Sequence, residues 1–194
     1  MAGIPEKQRL RIETLARRDA MSEQARIEAS LAIADHGTVS IEFDPGTIVS
    51  GFLPIRSEVD TRPLMAALAD HGARLCLPVV VDRQTIVFRE LVRGAPLVPT
   101  GFGTVGPGAE AAVLAPQLML VPLAAFDGRG NRIGYGAGYY DRAIGRLIAD
   151  GFSPRVIGVA FDLQEIEAVP THDHDRPLDA VLTESGLRSL SGTL

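Results

Sequence analysis

Tryptophan is absent from these 194 residues, and cysteine and lysine occur once each. With Cys76 as the one thiol, no intrachain disulfide can form and nothing calls for an oxidising compartment. Positive charge is not in excess: 19 basic against 24 acidic residues leave a net charge of −5, without the basic stripe of a duplex nucleic-acid binder. No long apolar run exists either. The longest nearly apolar stretch, Leu118 to Phe126, is too short for a membrane span and contains Pro122. The opening MAGIPEKQRLR turns charged before the apolar core of a secretory signal could begin, so the expectation is a cytoplasmic protein with neither nucleic-acid nor membrane partners. The Walker A pattern is missing, since the lone lysine is Lys7, so any phosphate is handled without a P-loop.

What is present is ordinary in bulk and skewed in detail. Hydrophobic residues at 46% and charged residues at 22% describe a globular chain, and the length suits a single domain over 1–194. Twenty glycines and thirteen prolines predict many turns. Of the basic residues all but Lys7 are arginine, and the three tyrosines, Tyr135, Tyr139 and Tyr140, lie within six residues of one another.

Periodicity divides the chain into alternating elements. Leu10, Ile12, Leu15 and Ala16 mark a first helix after Pro5; Ser22 is a candidate N-cap for a second, with Ile27, Leu31 and Ala34 on one face and Gly37 as its stop. Thr47–Leu53, Arg74–Val81, Thr85–Phe88, Gln117–Phe126, Arg155–Phe161 and Ala180–Thr183 read as strands. Pro63–His71 reads as a helix closed by Gly72, and Ala143, Ile144, Leu147 and Ile148 as one closed by Gly151. His36 and His71, each before a glycine, fit C-terminal capping. Residues 94–108, with five glycines and three prolines, are expected to be mostly loop. Apolar strands alternating with helices predict an α/β domain around a largely parallel sheet.

The segment RIGYGAGYYDR (132–142) concentrates the chemistry. Gly134, Gly136 and Gly138 follow a buried strand and turn and precede a helix. Main-chain N–H groups and the helix N-terminus there can cradle an anion, with Arg132 and Arg142 flanking and Asp141 as a hard oxygen ligand for Mg²⁺. The plainer alternative is a tight turn with tyrosines packed in the core. The G-x-G-x-x-G match at Gly101, Gly103 and Gly106 lacks strand–turn–helix context and is set aside as a dinucleotide site. Cys76, between Leu75 and Leu77, reads as an inert core residue.

The segment FDGRGNRIGYGAGYYDR (126–142) resembles the signature of the 5-formyltetrahydrofolate cyclo-ligase (5,10-methenyltetrahydrofolate synthetase) family. KQRLR at 7–11 is similar to that family's N-terminal motif. FLPIRSEVDTRPL at 52–64 is similar to its folate-contacting stretch; Phe161, Gln164 and PTHDHDRPLDAVLT at 170–183 are similar to its C-terminal block. The resemblance implies a three-layer α/β/α fold like that of the sugar-phosphate isomerase and CoA-transferase group. It also implies a monomeric enzyme that uses ATP with Mg²⁺ to convert 5-formyltetrahydrofolate into 5,10-methenyltetrahydrofolate, releasing ADP and phosphate. The formyl oxygen would attack the γ-phosphorus and N10 would close the ring, with no protein nucleophile.

By the same resemblance the ATP contacts are Lys7, Gln8, Arg9, Leu10, Arg11, Arg132, Ile133, Gly134, Tyr135, Gly136, Ala137, Gly138, Tyr139 and Tyr140. The folate contacts are Leu53, Glu58, Tyr135, Gly136, Ala137, Gly138 and Tyr139; Lys7, Arg132 and Tyr139 are the catalytic set; Asp141 and Asp175 are the Mg²⁺ ligands. Each has a plainer reading. Lys7 could be a surface lysine, Glu58 a first-turn carboxylate favouring a helix dipole, and HDHD (172–175) a polar loop with too few ligands for zinc. Ala137 departs from relatives that carry a loop lysine there, and Gly106–Pro107 from those with Glu–Pro. The lost loop cation leaves open a folate or nucleotide binder without turnover. An isomerase or CoA-transferase on the same architecture would leave the terminal motifs without a role.

Overall fold

The structure, a computed structural model, describes residues 5–101, 104–172 and 175–190. In chain order the elements are α1 (Glu6–Asp19), α2 (Glu23–Ser40), β1 (Ile48–Ser50), α3 (Arg62–Asp70), β2 (Arg74–Val80), β3 (Ile86–Glu90), β4 (Leu97–Gly101), β5 (Thr104–Pro107) and β6 (Val113–Leu114). There follow β7 (Leu118–Pro122), β8 (Ala125–Phe126), β9 (Arg132–Ile133), α4 (Tyr139–Ala149), β10 (Arg155–Val159), a 3₁₀ turn (Asp162–Gln164), β11 (Ala180–Thr183) and β12 (Gly186–Ser189). Among the described residues no helix is long and apolar enough to cross a membrane.

Eight strands form one sheet in the order β12-β11-β10-β7-β1-β2-β3-β6. β11, β10, β7, β1 and β2 run parallel, and β12, β3 and β6 add antiparallel edges. Parallel strands are covered on both faces, so their side chains are apolar on both. On β7, Leu118 and Leu120 enter one core with Leu75, Leu77 and Ile157, under Ile33 of α2 and Leu64, Met65 and Leu68 of α3. Met119 and Val121 point the other way, packing with Cys76, Val156 and Val181 against Ala143 and Ile144 of α4. The result is three layers. Cys76 is fully buried and its thiol is pushed up to about 12, chiefly by burial, as expected of an inert core residue.

Several boundaries differ from the sequence reading. Ser22 does cap α2, accepting the Ala25 N–H at 3.1 Å. The helix runs through Gly37, however, because a Cβ there would stand 2.7 Å from Leu64 and 2.8 Å from Leu182. The glycine serves close packing, not termination, and His36 lies inside the helix and caps nothing. His71 does end α3, its N–H donating to Ala67 at 3.0 Å. Residues 94–108 are not mostly loop: β4 and β5 pair as a two-stranded ribbon. Its prolines are tolerated because each strand of a two-stranded ribbon is an edge. The glycine pattern at 101–106 therefore leaves one strand for another and opens no helix; its Gly103 lies outside the described residues.

Two crossovers place the site. β1 reaches β2 through α3 on one face, and β7 reaches β10 through α4 on the other, diverging from the adjacent pair β1 and β7. Ligand crevices in parallel sheets open beyond the C-terminal ends of strands at such a switch point. Past β7 the chain makes the β8–β9 hairpin, whose turn is built on Asp127. This buried carboxylate accepts from the N–H groups of Arg129 (2.9 Å), Asn131 (3.0 Å) and Val169 (2.9 Å). Gln164, also buried, pins the chain beyond β7 by donating to the carbonyls of Leu123 (2.8 Å) and Ala124 (3.1 Å). α1 lies over the hairpin, with Leu10 and Leu15 against Ala124, Ala125, Ile133 and Val169.

Burial alone would raise the Asp127 carboxyl, but the donors from Asn131, Val169 and Arg129 outweigh it and hold it below the usual range. A depressed folded-state pKa contributes stability that is present above the unfolded pKa of about 3.9 and is lost as pH falls through the folded value. Asp127→Ala is expected to destabilise the protein by roughly 2–3 kcal/mol at neutral pH, by leaving buried amides unpaired. Thermal melts from pH 7 down to pH 3 should show this difference shrinking only at the acid end.

Candidate active site

Two cavities open side by side at the switch point. The first, about 480 Å³, is lined by Lys7 and Arg11 of α1, Arg132, the loop glycines 134, 136 and 138, Ala137, Asp141, Arg142, His172, Asp175 and Arg176. The second, about 410 Å³, is lined by Phe52 to Ile55, Glu58, residues of β2, Val105 of the ribbon, Pro122 and all three tyrosines. Arg132, Gly134, Ala137, Gly138 and Asp141 belong to both, so the glycine loop is their common wall.

The loop takes its shape from glycine at two positions. Gly136 (φ +102°) and Gly138 (φ +66°) are left-handed, and Gly138 is the N-cap of α4, accepting the Arg142 N–H at 3.2 Å. The turn sets the N-terminus of α4, with its partial positive charge, in the wall between the two cavities, where Gly138 and Asp141 line both. α4 starts at Tyr139, earlier than its apolar stripe suggests, so Tyr139, Tyr140 and Asp141 form its first turn. Arginines close over the loop: Arg11 Nε donates to the Gly134 carbonyl at 2.7 Å, and Arg142 packs 5.3 Å from the Tyr139 ring centroid.

The first cavity is a cationic pocket with two carboxylates in it. Lys7 Nζ meets Asp175 Oδ2 at 2.7 Å, and the His172 N–H donates to the same oxygen at 2.8 Å. Buried Arg132 donates to Asp141 Oδ1 at 2.6 Å and to the Arg176 carbonyl. Burial pulls its pKa down while Asp141, Asp175 and Tyr140 oppose, and a guanidinium stays charged in any case. Lys7, Arg11, Arg132, Arg142 and Arg176 outnumber Asp141 and Asp175, an arrangement suited to a polyanion.

The fit to Mg²⁺ follows from this donor set. Asp141 and Asp175 are hard oxygens on one cavity, but among the described residues no group of three or more His, Cys, Asp or Glu side chains is arranged to hold a metal. Mg²⁺ commonly keeps waters and takes one or two carboxylates with substrate phosphates. The residues therefore fit an ion that arrives with a polyphosphate, not a closed resident site. Of the HDHD run, Asp173 and His174 lie outside the described residues.

The second cavity is apolar around one acid. Glu58 is 8% exposed, and its Oε2 accepts the Ile55 N–H at 2.8 Å. Burial raises its pKa, partly offset by hydrogen bonds from Tyr135 and Ile55 and by the charge of Arg18. The first-turn reading of Glu58 does not hold, since α3 begins at Arg62 and the carboxylate caps the local turn at Ile55. Burial raises the Tyr135 and Tyr140 hydroxyls as well, so both stay protonated.

The expected residues sort unevenly. Lys7, Arg11, Arg132, Gly134, Gly136, Ala137, Gly138, Asp141 and Asp175 line the first cavity; Leu53 and Glu58 line the second. Gln8 and Arg9 do not line either: both are exposed, and Arg9 pairs with Glu13 at 2.8 Å. Leu10 and Ile133 face the small core between α1 and the hairpin. The resemblance implies them as parts of continuous motifs, whereas a helix sends only every third or fourth residue to one side and a strand every second. Tyr135, Tyr139 and Tyr140 line the apolar cavity and not the cationic one. The expected contacts omit Arg18 and Arg176, although both lie at the site. Arg18 falls on the Lys7–Arg11–Thr14 face, where buried Thr14 and Arg18 make a polar stripe that helical spacing would have disclosed.

Comparison with known proteins agrees on one family. The model of the 5-formyltetrahydrofolate cyclo-ligase family matches residues 4–184. The 5-formyltetrahydrofolate cyclo-ligase of Escherichia coli is 32% identical over 143 residues, covering 71% of this chain and 78% of the relative. That of Haemophilus influenzae is 26% identical over 182 residues, covering 91% and 96%. The solved structure of Aquifex aeolicus 5,10-methenyltetrahydrofolate synthetase superposes with a TM-score of 0.82 at 30% identity, covering 97% of this chain and 94% of that one.

The charge of the first cavity makes a prediction independent of any reaction. Inorganic tripolyphosphate should raise the melting temperature, and Lys7→Ala should weaken its apparent affinity about tenfold. Both effects should fade as salt is raised from 0.05 to 0.5 M, by the general screening of exposed charge. Calorimetric titration of the two proteins checks this.

Proposed function

Because the chain belongs to the 5-formyltetrahydrofolate cyclo-ligase family, and so is a ligase of folate one-carbon metabolism, we propose that it closes the imidazoline ring of 5-formyltetrahydrofolate using MgATP. The observation that carries this reading is the shared wall: a polyanion pocket and an apolar pocket with one buried carboxylate meet at Gly134–Gly138. A phosphoryl donor in the first and a flat heterocycle in the second would bring their reacting ends together at that loop.

In this reading the formyl oxygen attacks the γ-phosphorus and ADP leaves. The N10 nitrogen then attacks the activated formyl carbon, losing its proton as phosphate departs. The products are 5,10-methenyltetrahydrofolate, ADP and phosphate. No side chain forms a covalent bond, so the protein's work is orientation and charge stabilisation. Lys7 and Arg11, one helical turn apart, hold the phosphates from the α1 side, and the loop N–H groups and the α4 N-terminus hold them from the other. Arg132 supplies positive charge from beneath the loop. Asp141 and Asp175 would hold Mg²⁺, which when bound neutralises charge on the phosphate oxygens. Glu58 accepts hydrogen bonds from the amine-bearing edge of the pterin or from N10–H. Leu53 and Tyr135 flank the ring, and Tyr139 closes over the reacting group.

A binder without turnover was suggested by the missing loop cation at Ala137. Arg11 and Arg142 weigh against it: Arg11 reaches within 3.5 Å of the Cβ position of Gly136, and Arg142 within 2.8 Å of that of Gly138. Positive charge thus reaches the loop from neighbouring helices.

Purified protein with 5-formyltetrahydrofolate and MgATP should develop the methenyl chromophore in step with ADP, and omission of either substrate should abolish it. Binding of both without ADP formation would favour the binder. Lys7→Arg should lower kcat/KM by about 100-fold with an unchanged melting temperature, because a planar fork does not replace a compact ammonium at a phosphate. Alanine at Asp141 or Asp175 should raise the Mg²⁺ concentration needed for half-maximal rate. With Glu58 active as the carboxylate, its raised pKa means that kcat/KM for the folate falls on the acid side above the ordinary carboxylate range, and Glu58→Gln should remove that limb.

A further inference from the structure

Outside the residues that face either phosphate or ring, one buried group stands on the acid of the second cavity. Arg18, in the last turn of α1, is 3% exposed. A buried guanidinium is tolerated only where its donors and charge are matched. Its Nη1 donates to the Tyr135 hydroxyl at 2.6 Å and its Nε to Ser57 Oγ at 3.0 Å. Ser57 Oγ donates in turn to the Asp19 carboxylate, and the Tyr135 hydroxyl acts as a hydrogen-bond donor toward Glu58, which lines the same cavity. The guanidinium also lies 5.7 Å from the Tyr135 ring centroid, within cation–π range, so it holds both the ring and its hydroxyl.

The geometry points to Arg18 as a positioning residue for the folate site. Through the Tyr135 hydroxyl it fixes the Glu58 carboxylate and the Tyr135 ring against the second cavity, a role that rests on the folate reading of that cavity. Tyr135 is the coupling element. It sits on the glycine loop and is 45% exposed, so apolar packing alone does not fix its ring. Arg18 supplies the anchor. The hydroxyl accepts from Arg18 and donates to Glu58, a polarised chain in which each bond strengthens the next. Arg18 and, behind Ser57, Asp19 face Glu58 from α1; Tyr135 faces it from the loop and Tyr140 from α4. Arg132 and its partner Asp141 also line this cavity, in its shared wall, but the positive charge that acts on Glu58 is that of Arg18. Its removal takes away the charge that favours ionised Glu58.

Arg18→Met and Tyr135→Phe test the role by steady-state kinetics across pH. Each should raise KM for 5-formyltetrahydrofolate about tenfold while KM for ATP stays within twofold. Each should also move the acid limb of kcat/KM up by about one pH unit. The double variant should be no worse than the more severe single one, since both cut the same chain. Tyr135→Phe, at a half-exposed position, keeps the test valid if Arg18→Met folds poorly. Additive losses, or an acid limb unmoved in Tyr135→Phe, would reduce Arg18 to a structural residue and overturn the inference. Glu58→Gln separates the two levels. If it removes the limb while Tyr135→Phe leaves it in place, the positioning role fails and the folate reading stands. If it alters neither the limb nor the folate KM, both fail.

Discussion

A buried arginine organises the site. Arg132 leaves the β8–β9 hairpin with almost no solvent, and a buried guanidinium without partners would be far too costly to keep. Its partners come from two other parts of the chain, Asp141 in the first turn of α4 and the carbonyl of Arg176 beyond the 172–175 run. Satisfying one side chain therefore draws hairpin, helix and C-terminal segment into one corner. The glycine loop is stretched between the first two of these. Its left-handed residues, Gly136 and Gly138, let the chain make that connection, and both line the first cavity.

Charge is distributed in keeping with that frame. The chain is acidic overall, yet the first cavity gathers its lone lysine and several arginines around two carboxylates that are already paired. In the proposed reaction a polyphosphate with its divalent cation would enter by exchanging partners with these pairs. The neighbouring cavity has the opposite character, aromatic and aliphatic with Glu58 at its centre. The Arg132–Asp141 pair in the partition gives each cavity its own electrostatic setting within one wall.

Legibility in the sequence followed the range of the interactions. Ser22 as a cap and Gly72 and Gly151 as stops rest on local rules, and the structure has them where expected. The single strand read over Gln117–Phe126 is instead two, β7 (Leu118–Pro122) and β8 (Ala125–Phe126), because the chain leaves the main sheet after Pro122 to form the hairpin. Gly37 and the 94–108 segment did not follow local rules. A glycine inside a helix was demanded by Leu64 and Leu182, remote in sequence, and two strands rich in glycine and proline paired as an isolated ribbon where no ladder partner was required beyond each other. The motif residues show the same division. Lys7 and Arg11 share a helix face by spacing alone, whereas Gln8, Arg9 and Leu10, implied with them by the motif's resemblance, face solvent or the small core.

By itself the sequence determined the kind of chemistry: glycines before a helix start, a lysine kept where every other cation is arginine, three tyrosines beside an aspartate, and an ordered set of motifs shared with one family. These are matters of side-chain type and short spacing, which survive without coordinates. Tertiary structure alone decided which cavity each residue lines, that the tyrosines lie with Glu58 and not in the cationic pocket, and that Arg18 stands behind Tyr135. Those assignments depend on contacts across more than a hundred residues of chain, such as Arg18 to Tyr135 and Lys7 to Asp175, and no local pattern encodes the packing that closes such distances.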